Sequence, residues 1–450
     1  MTEQVDVVVL GLGVGGEEVA GRLAEEGLEV VGIEHGLVGG ECPYWGCVPS
    51  KMMIRAANLL EEARRIDGMA GHADVTPDWA PVAERIREEA TDDWNDQVAV
   101  DRFTGKGGRF VRGRGRLVGP GAVEVDGARY EARRAVVLAT GTVPVIPPIA
   151  GLSETPYWTN RETIEAKTLP DSLLVLGGGA VGLELAQVYA RFGVGVTVVE
   201  ALDRLLPVEE PESSTLVQSA LEADGIAVRT GRRATTVAHD GEMFTVTAGG
   251  ELRAERLLVA VGRRADLGPL GVDSVGLEPG APAVTVDERM RAGERLWAVG
   301  DLTGHGTFTH MAMYQAGIAV RDILGQDGPP ADYRAVPRVT FTDPEIGSVG
   351  LTEAQARDAG LRVAVGLAQL PSSARGWIHK AGNDGIIKLI ADAEREVLVG
   401  ATSAGPVGGE VLSMLALAVQ AEVTIGTLRH MIYAYPTFHR GIEDALRDLG

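Results

Sequence analysis

Val5-Asp6-Val7-Val8-Val9-Leu10-Gly11-Leu12-Gly13-Val14-Gly15-Gly16 is the stretch that decides the fold. Residues 5–10 form an apolar run that predicts a buried strand. Gly11, Gly13 and Gly16 then fall on the spacing G-x-G-x-x-G, and Glu17, Val19, Ala20, Leu23 and Ala24 continue with helical periodicity. A second apolar run, residues 28–33, ends at Glu34, 23 positions after Gly11. Each part has a physical reason. Glycines let the backbone turn tightly and approach a pyrophosphate at a helix N-terminus, and an acid at the end of the second strand accepts hydrogen bonds from ribose hydroxyls.

The same unit recurs. Residues 173–176 read as a strand, Gly177, Gly179 and Gly182 as the loop, 183–192 as the helix and 194–199 as the return strand. Glu200 closes the unit, again 23 positions after its first glycine. Two such units predict an α/β fold that binds two dinucleotides; the alternative is a duplicated scaffold with one silent site. Glu200 favours the free 2′-hydroxyl of NADH over the phosphate of NADPH, with Arg204 as the opposing phosphate partner. Further buried strands run into glycine turns at 136–141, ending in Thr140-Gly141, and at 257–262. Trp297-Ala298-Val299-Gly300-Asp301 ends a strand in an acid suited to a polyol, or to capping the helix predicted over 309–324.

The only two cysteines, Cys42 and Cys47, lie in Gly39-Gly40-Glu41-Cys42-Pro43-Tyr44-Trp45-Gly46-Cys47-Val48-Pro49-Ser50-Lys51. Two thiols kept in one glycine-flanked segment read as a redox pair. A structural bond across so short a loop would remove little entropy from the unfolded chain. Two inert buried thiols are the third option.

With 450 residues, 45% of them apolar, the chain is expected to build two to four domains. A net charge of −21 opposes nucleic acid and anionic membrane as partners. The basic segment 106–116 alternates Arg with Gly and Val and reads as a turn and exposed strand. No apolar run is long enough to span a bilayer, and the chain enters a strand almost at once, so a cytoplasmic location is expected. No spacing of Cys, His and acids predicts a metal site. Residues 70–101, with Trp79 and Trp94, read as a helical excursion over the first unit. His305 and His310 lie near the turn after Asp301, and His35 follows Glu34. Residues 372–380 read as either an acceptor-site segment or an exposed hairpin.

These motifs, in this order, resemble the FAD-dependent pyridine nucleotide–disulfide oxidoreductases, the group of lipoamide dehydrogenase, glutathione reductase, mercuric reductase and soluble transhydrogenase. The resemblance covers essentially the whole chain. It implies two Rossmann-like dinucleotide-binding domains, for FAD (1–150 and 266–335) and NAD(P) (151–265), and a C-terminal α+β interface domain (336–450) that builds a homodimer. It implies that Gly11, Gly13, Gly16, Glu34, Thr140, Gly141 and Asp301 hold FAD. Cys47 would face the flavin and Cys42 would meet substrate. Lys51 and Glu184 would form an ion pair beside the flavin, so that Lys51 also contacts the cofactor. Gly177, Gly179, Gly182 and Glu200 would hold the nicotinamide cofactor, with Arg263 nearby.

The pattern breaks near the C-terminus. Disulfide reductases of this group carry His-Pro-Thr with a glutamate five positions after the histidine. Here Tyr435-Pro436-Thr437 stands in its place, and Arg440 takes the glutamate position. Tyr435 is a weak base but can donate a proton. If Thr437 capped the last helix, His439 and Glu443 would share one face as a displaced pair. Trp45-Gly46 resembles transhydrogenase, yet that enzyme lacks the second cysteine; mercuric reductase has further C-terminal cysteines absent here. The expected function is NADH-dependent electron transfer through FAD and the Cys42–Cys47 disulfide to a small or protein disulfide, a quinone or another electron acceptor, with a small-molecule acceptor as the expected partner. The rivals are direct flavin reduction of quinone or nucleotide, and a non-catalytic FAD-binding redox sensor.

Overall fold

The computed structural model describes residues 2–449. The chain forms two compact units, one from residues 2–49, 84–145 and 262–333, the other from 50–83, 146–261 and 334–449.

In the first unit, strand Thr2–Leu10 lies between Val30–Glu34 and Ala128–Leu138, parallel to both, with Leu296–Ala298 parallel beyond the latter. The hydrophobic run has no polar alternation because both faces are covered. Val7 and Val9 enter a core with Leu23, Phe103 and Ala316, whereas Val8 and Leu10 enter another with Val31, Leu117 and Leu302. Helix Val14–Glu25 follows the first strand, and helix Thr309–Leu324 comes close enough that a methyl on Gly15 would lie 3.1 Å from the Ala312 Cβ. The segment 106–116 supplies the edge strand Arg109–Arg112, parallel to Val30–Glu34.

The second unit contains a parallel sheet in the order Ala227–Arg229, Gly195–Val199, Ser172–Leu176, Arg256–Val259. Helix Ala180–Arg191 follows its Ser172–Leu176 strand. A five-stranded antiparallel sheet from residues 337–405 packs its core against helices Gly408–Gln420 and Gly441–Asp448. The α/β architecture read from the sequence is therefore the one observed.

Three local expectations are corrected. Trp79 packs on the second unit, edge-on to Phe192 at 5.1 Å, and donates its indole N–H to the Ala166 carbonyl. Only residues from 84 onward join the first unit, because the apolar face of helix Ala180–Arg191 offers Trp79 an aromatic pocket. Residues 374–379 form a short helix capped by Ser373, with Trp377 76% exposed, and not a hairpin. The last helix starts at Gly441 with Arg440 at its N-cap. Thr437 instead donates to the Ala434 carbonyl, so His439 precedes the helix and shares no helical face with Glu443.

Candidate active site

The two glycine loops share one design. Gly11 has φ +89° and Gly177 φ +109°. A methyl on Gly11 would lie 2.6 Å from the Ala139 carbonyl oxygen, and one on Gly177 would collide with the Ala260 carbonyl. Gly16 and Gly182 crowd the carbonyls of Gly11 and Gly177 in the same way. These first and third glycines are required by the protein's own packing. The middle ones are not: a methyl on Gly179 would meet nothing, and one on Gly13 only the Gly40 Cα at 3.9 Å. Gly13 and Gly179 are the N-caps of 12-residue helices with no side-chain cap. Open space before two uncapped helix N-termini fits a pyrophosphate on each loop.

Glu34 and Glu200 repeat a second device. Glu34 accepts hydrogen bonds from the Leu12 and Gly36 amides at 2.8 and 2.6 Å; Glu200 accepts from Gly178 and Leu202 at 2.6 and 2.7 Å. Each acid thus braces its own loop, and both are 9% exposed. Burial opposes ionisation of Glu34, but hydrogen bonds from His35, Gly36 and Leu12 outweigh it and hold the carboxyl below its ordinary range. Arg204 is fully engaged: Nη1 donates to the Leu206 and Glu209 carbonyls and to Ser214 Oγ, and Nη2 to the Pro207 carbonyl.

Asp301 opens a 3-10 turn and does not cap the following helix, whose N-cap is Phe308. Its Oδ2 accepts from the Thr142 hydroxyl at 3.0 Å, and burial pushes its carboxyl up. Arg263 donates to Thr142 Oγ1 and to the Thr142 carbonyl, and lies 3.7 Å from Glu41. Thr140 is exposed, and Gly141 follows it with φ +65°. His305 stacks on Tyr333 at 4.1 Å and His310 on Phe308 at 5.1 Å.

Cys42 is half-buried, in the short helix Glu41–Tyr44; Cys47 is exposed, at the start of helix Cys47–Arg64. The two thiols hydrogen-bond each other, and this bond together with burial pushes the Cys42 thiol up. The Thr309 hydroxyl lies 3.5 Å from Cys47 Sγ and lowers the Cys42 thiol by a further hydrogen bond. Within the second unit, Lys51 Nζ lies 2.7 Å from Glu184 Oε2 and 4.6 Å from the Phe341 ring centre, while Glu184 Oε1 accepts the Phe341 amide at 2.8 Å. Glu184 is 6% exposed, so the pair is fixed by packing as well as charge.

Tyr435 is 69% exposed, with the Arg440 guanidinium 5.4 Å from its ring centre. The two residues standing in the dyad positions therefore contact each other. Glu443 is taken by Arg440 at 3.0 Å and by Arg447. His439 tilts against Tyr433 with 6.3 Å between rings. Among the described residues no cluster of His, Cys, Asp and Glu is arranged to hold a metal, and no helix is long and apolar enough to cross a membrane. The sequence reading missed Thr309, Thr142 and Phe341. Thr309 sat in view at the head of a predicted helix, but nothing local joins it to cysteines some 260 positions earlier.

Residues 5–316 match the pyridine nucleotide-disulphide oxidoreductase family, and residues 336–446 its dimerisation domain. A dihydrolipoyl dehydrogenase of Haloferax volcanii is 34% identical, over 98% of this chain and 95% of its own. A mercuric reductase of Bacillus cereus is 32% identical, over 98% and 71%. Among solved structures, LpdA of Mycobacterium tuberculosis superimposes with a TM-score of 0.86 at 27% identity, covering 99% of this chain and all of the other. The family's cofactors, FAD and NAD(P)H, are the two dinucleotides that the paired loops fit. The chain belongs to the pyridine nucleotide-disulphide oxidoreductases, as an FAD-dependent NAD(P)H oxidoreductase.

Proposed function

We propose that this protein is a homodimeric, NADH-preferring reductase that delivers electrons through the Cys42–Cys47 pair to a small disulfide acceptor. The observation that carries the reading is the pair itself, two thiols in hydrogen-bond contact in a segment that starts two helices. FAD, when bound, supplies the two-electron chemistry that links a nicotinamide hydride to the disulfide.

The first glycine loop, Glu34 and Asp301 hold FAD; the second loop and Glu200 hold the nicotinamide dinucleotide. Lys51 is fixed by Glu184 within the second unit. Two electrons and one proton convert the disulfide to one thiol and one thiolate. Cys47, at a helix N-terminus with the Thr309 hydroxyl 3.5 Å from its Sγ, holds the charge, and the proton stays on Cys42. Cys42 then attacks an acceptor disulfide as the thiolate, forming one S–S bond as the acceptor's breaks; the expelled thiolate takes the one proton of the pair. Cys47 attacks Cys42 in turn, restores the internal bond and releases the second thiolate.

NADH preference follows from Glu200 and from Arg204, whose donors are spent on backbone carbonyls. The dimerisation domain matched over residues 336–446 supports the homodimer. Tyr435, 69% exposed, is left as a proton donor toward the acceptor. The second reading, direct transfer from flavin to a quinone, is favoured by one observation: Tyr435 and Arg440 replace the expected imidazole–carboxylate dyad and bind each other.

Turnover of Cys47→Ser with a small aromatic disulfide and with a quinone separates the two. The first reading predicts loss of disulfide reduction with quinone reduction retained. Disulfide reduction that survives the substitution contradicts it.

A further inference from the structure

The dithiol has a polar partner that no motif announces. Thr309 opens the 16-residue helix Thr309–Leu324, whose N-cap, Phe308, has no side-chain acceptor to offer the first amides. Its hydroxyl stands 3.5 Å from Cys47 Sγ and also hydrogen-bonds Cys42. The charged groups that flank these residues in sequence are already engaged. Glu41, beside Cys42 in the chain, is compensated by Arg263 at 3.7 Å, and Asp301 is held by Thr142. Lys51, one turn along the helix from Cys47, is paired with Glu184. His310, next to Thr309, stacks on Phe308. A hydroxyl carries one donor and two acceptor sites and rotates freely between partners, so it serves either sulfur.

We propose that Thr309 is a positioning residue for the reduced pair, donating its O–H to whichever sulfur carries the negative charge. The single proton of the dithiol then passes from the Cys42 sulfur to the Cys47 sulfur, and the charge passes the other way. No electrons change hands in this step. Cys42 thereby becomes the attacking thiolate without an imidazole beside it, which answers the missing dyad. The inference rests on the redox reading of the cysteine pair.

The test is the pH profile of iodoacetamide labelling of Cys42 and Cys47 in reduced holoenzyme, read peptide by peptide by mass spectrometry. Thr309→Val keeps the shape and deletes the hydroxyl; Thr309→Ser keeps the hydroxyl. The expected result is a rise of about one pH unit in the labelling profile of Thr309→Val, or roughly tenfold slower labelling at neutral pH, as loss of one charge-assisted hydrogen bond implies. Thr309→Ser should restore the wild-type profile. An unchanged profile in Thr309→Val, or a Ser variant as impaired as Val, overturns the proposal. Reduction of the wild-type disulfide by NADH, measured separately, tests the redox reading itself, so the two failures are distinguishable.

Discussion

Glu34 and Glu200 show how one side chain serves both fold and ligand. Each uses its carboxylate oxygens to hold two backbone amides of its own loop, and each ends the strand against which a ribose would lie. Glu34→Ala leaves the Leu12 and Gly36 amides without their acceptor. It should destabilise the protein by about 1–3 kcal/mol and lower the flavin content, measured by chemical unfolding and by the absorbance of purified protein. The pH dependence has a definite sign. A carboxyl held below its ordinary value contributes stability above the unfolded value near about 4.3 and loses it as pH falls through the folded one. Glu34→Gln should therefore flatten the acid limb of the stability curve. Glu200 and the immobilised Arg204 predict a kcat/KM preference for NADH over NADPH on the order of tenfold or more. The glycines, acids and cysteines were legible because local spacing encodes their task. Thr309, Phe341 and the anchorage of Arg204 were not, since a threonine, a backbone amide or a surface-type arginine carries no local mark of a partner brought in by folding.

At the scale of elements, strand–loop–helix units are legible because each is built from contiguous residues with one hydrophobic period. Joints between elements are not. Buried Lys388, 2% exposed on strand Ile386–Asp392, is gripped by Glu210, Glu212 and Glu353 at 2.8–3.0 Å. It ties that strand to the starts of helices Pro211–Ala223 and Glu353–Asp358. Burial opposes its charge, but the three carboxylates outweigh it and raise the ammonium well above the ordinary lysine range. That stabilisation is present below the unfolded lysine value and is lost only as pH rises through the folded one. Lys388→Met leaves three acids around an uncharged stem and should cost about 3–5 kcal/mol in urea unfolding at neutral pH. A lysine in a strand gives no hint of this, because its partners lie 35 to 178 positions away. The misplacement of Trp79 has the same origin: tertiary neighbours decided where a short segment packs.

At the scale of the molecule, division into dinucleotide-binding and C-terminal parts was legible from the repeated loops and the motif order. The assembly was not, since an interface is read from surface, not from period. Ile432 is 95% exposed, close in sequence to Tyr435, and Leu417 is 64% exposed on the preceding long helix. Such apolar exposure in the dimerisation domain is expected to be covered by a second copy. Ile432→Asp should shift the protein toward monomer in analytical ultracentrifugation while leaving its circular dichroism unchanged. The central claim is that electrons from NADH reach Cys42 and Cys47. The direct measurement is anaerobic addition of NADH to oxidised holoenzyme, followed by alkylation and mass spectrometry of the cysteine peptide. NADH should convert the peptide from disulfide to doubly alkylated form, and Cys47→Ser should abolish the disulfide from the outset. A peptide that stays disulfide-bonded while NADH is consumed with a quinone would contradict it.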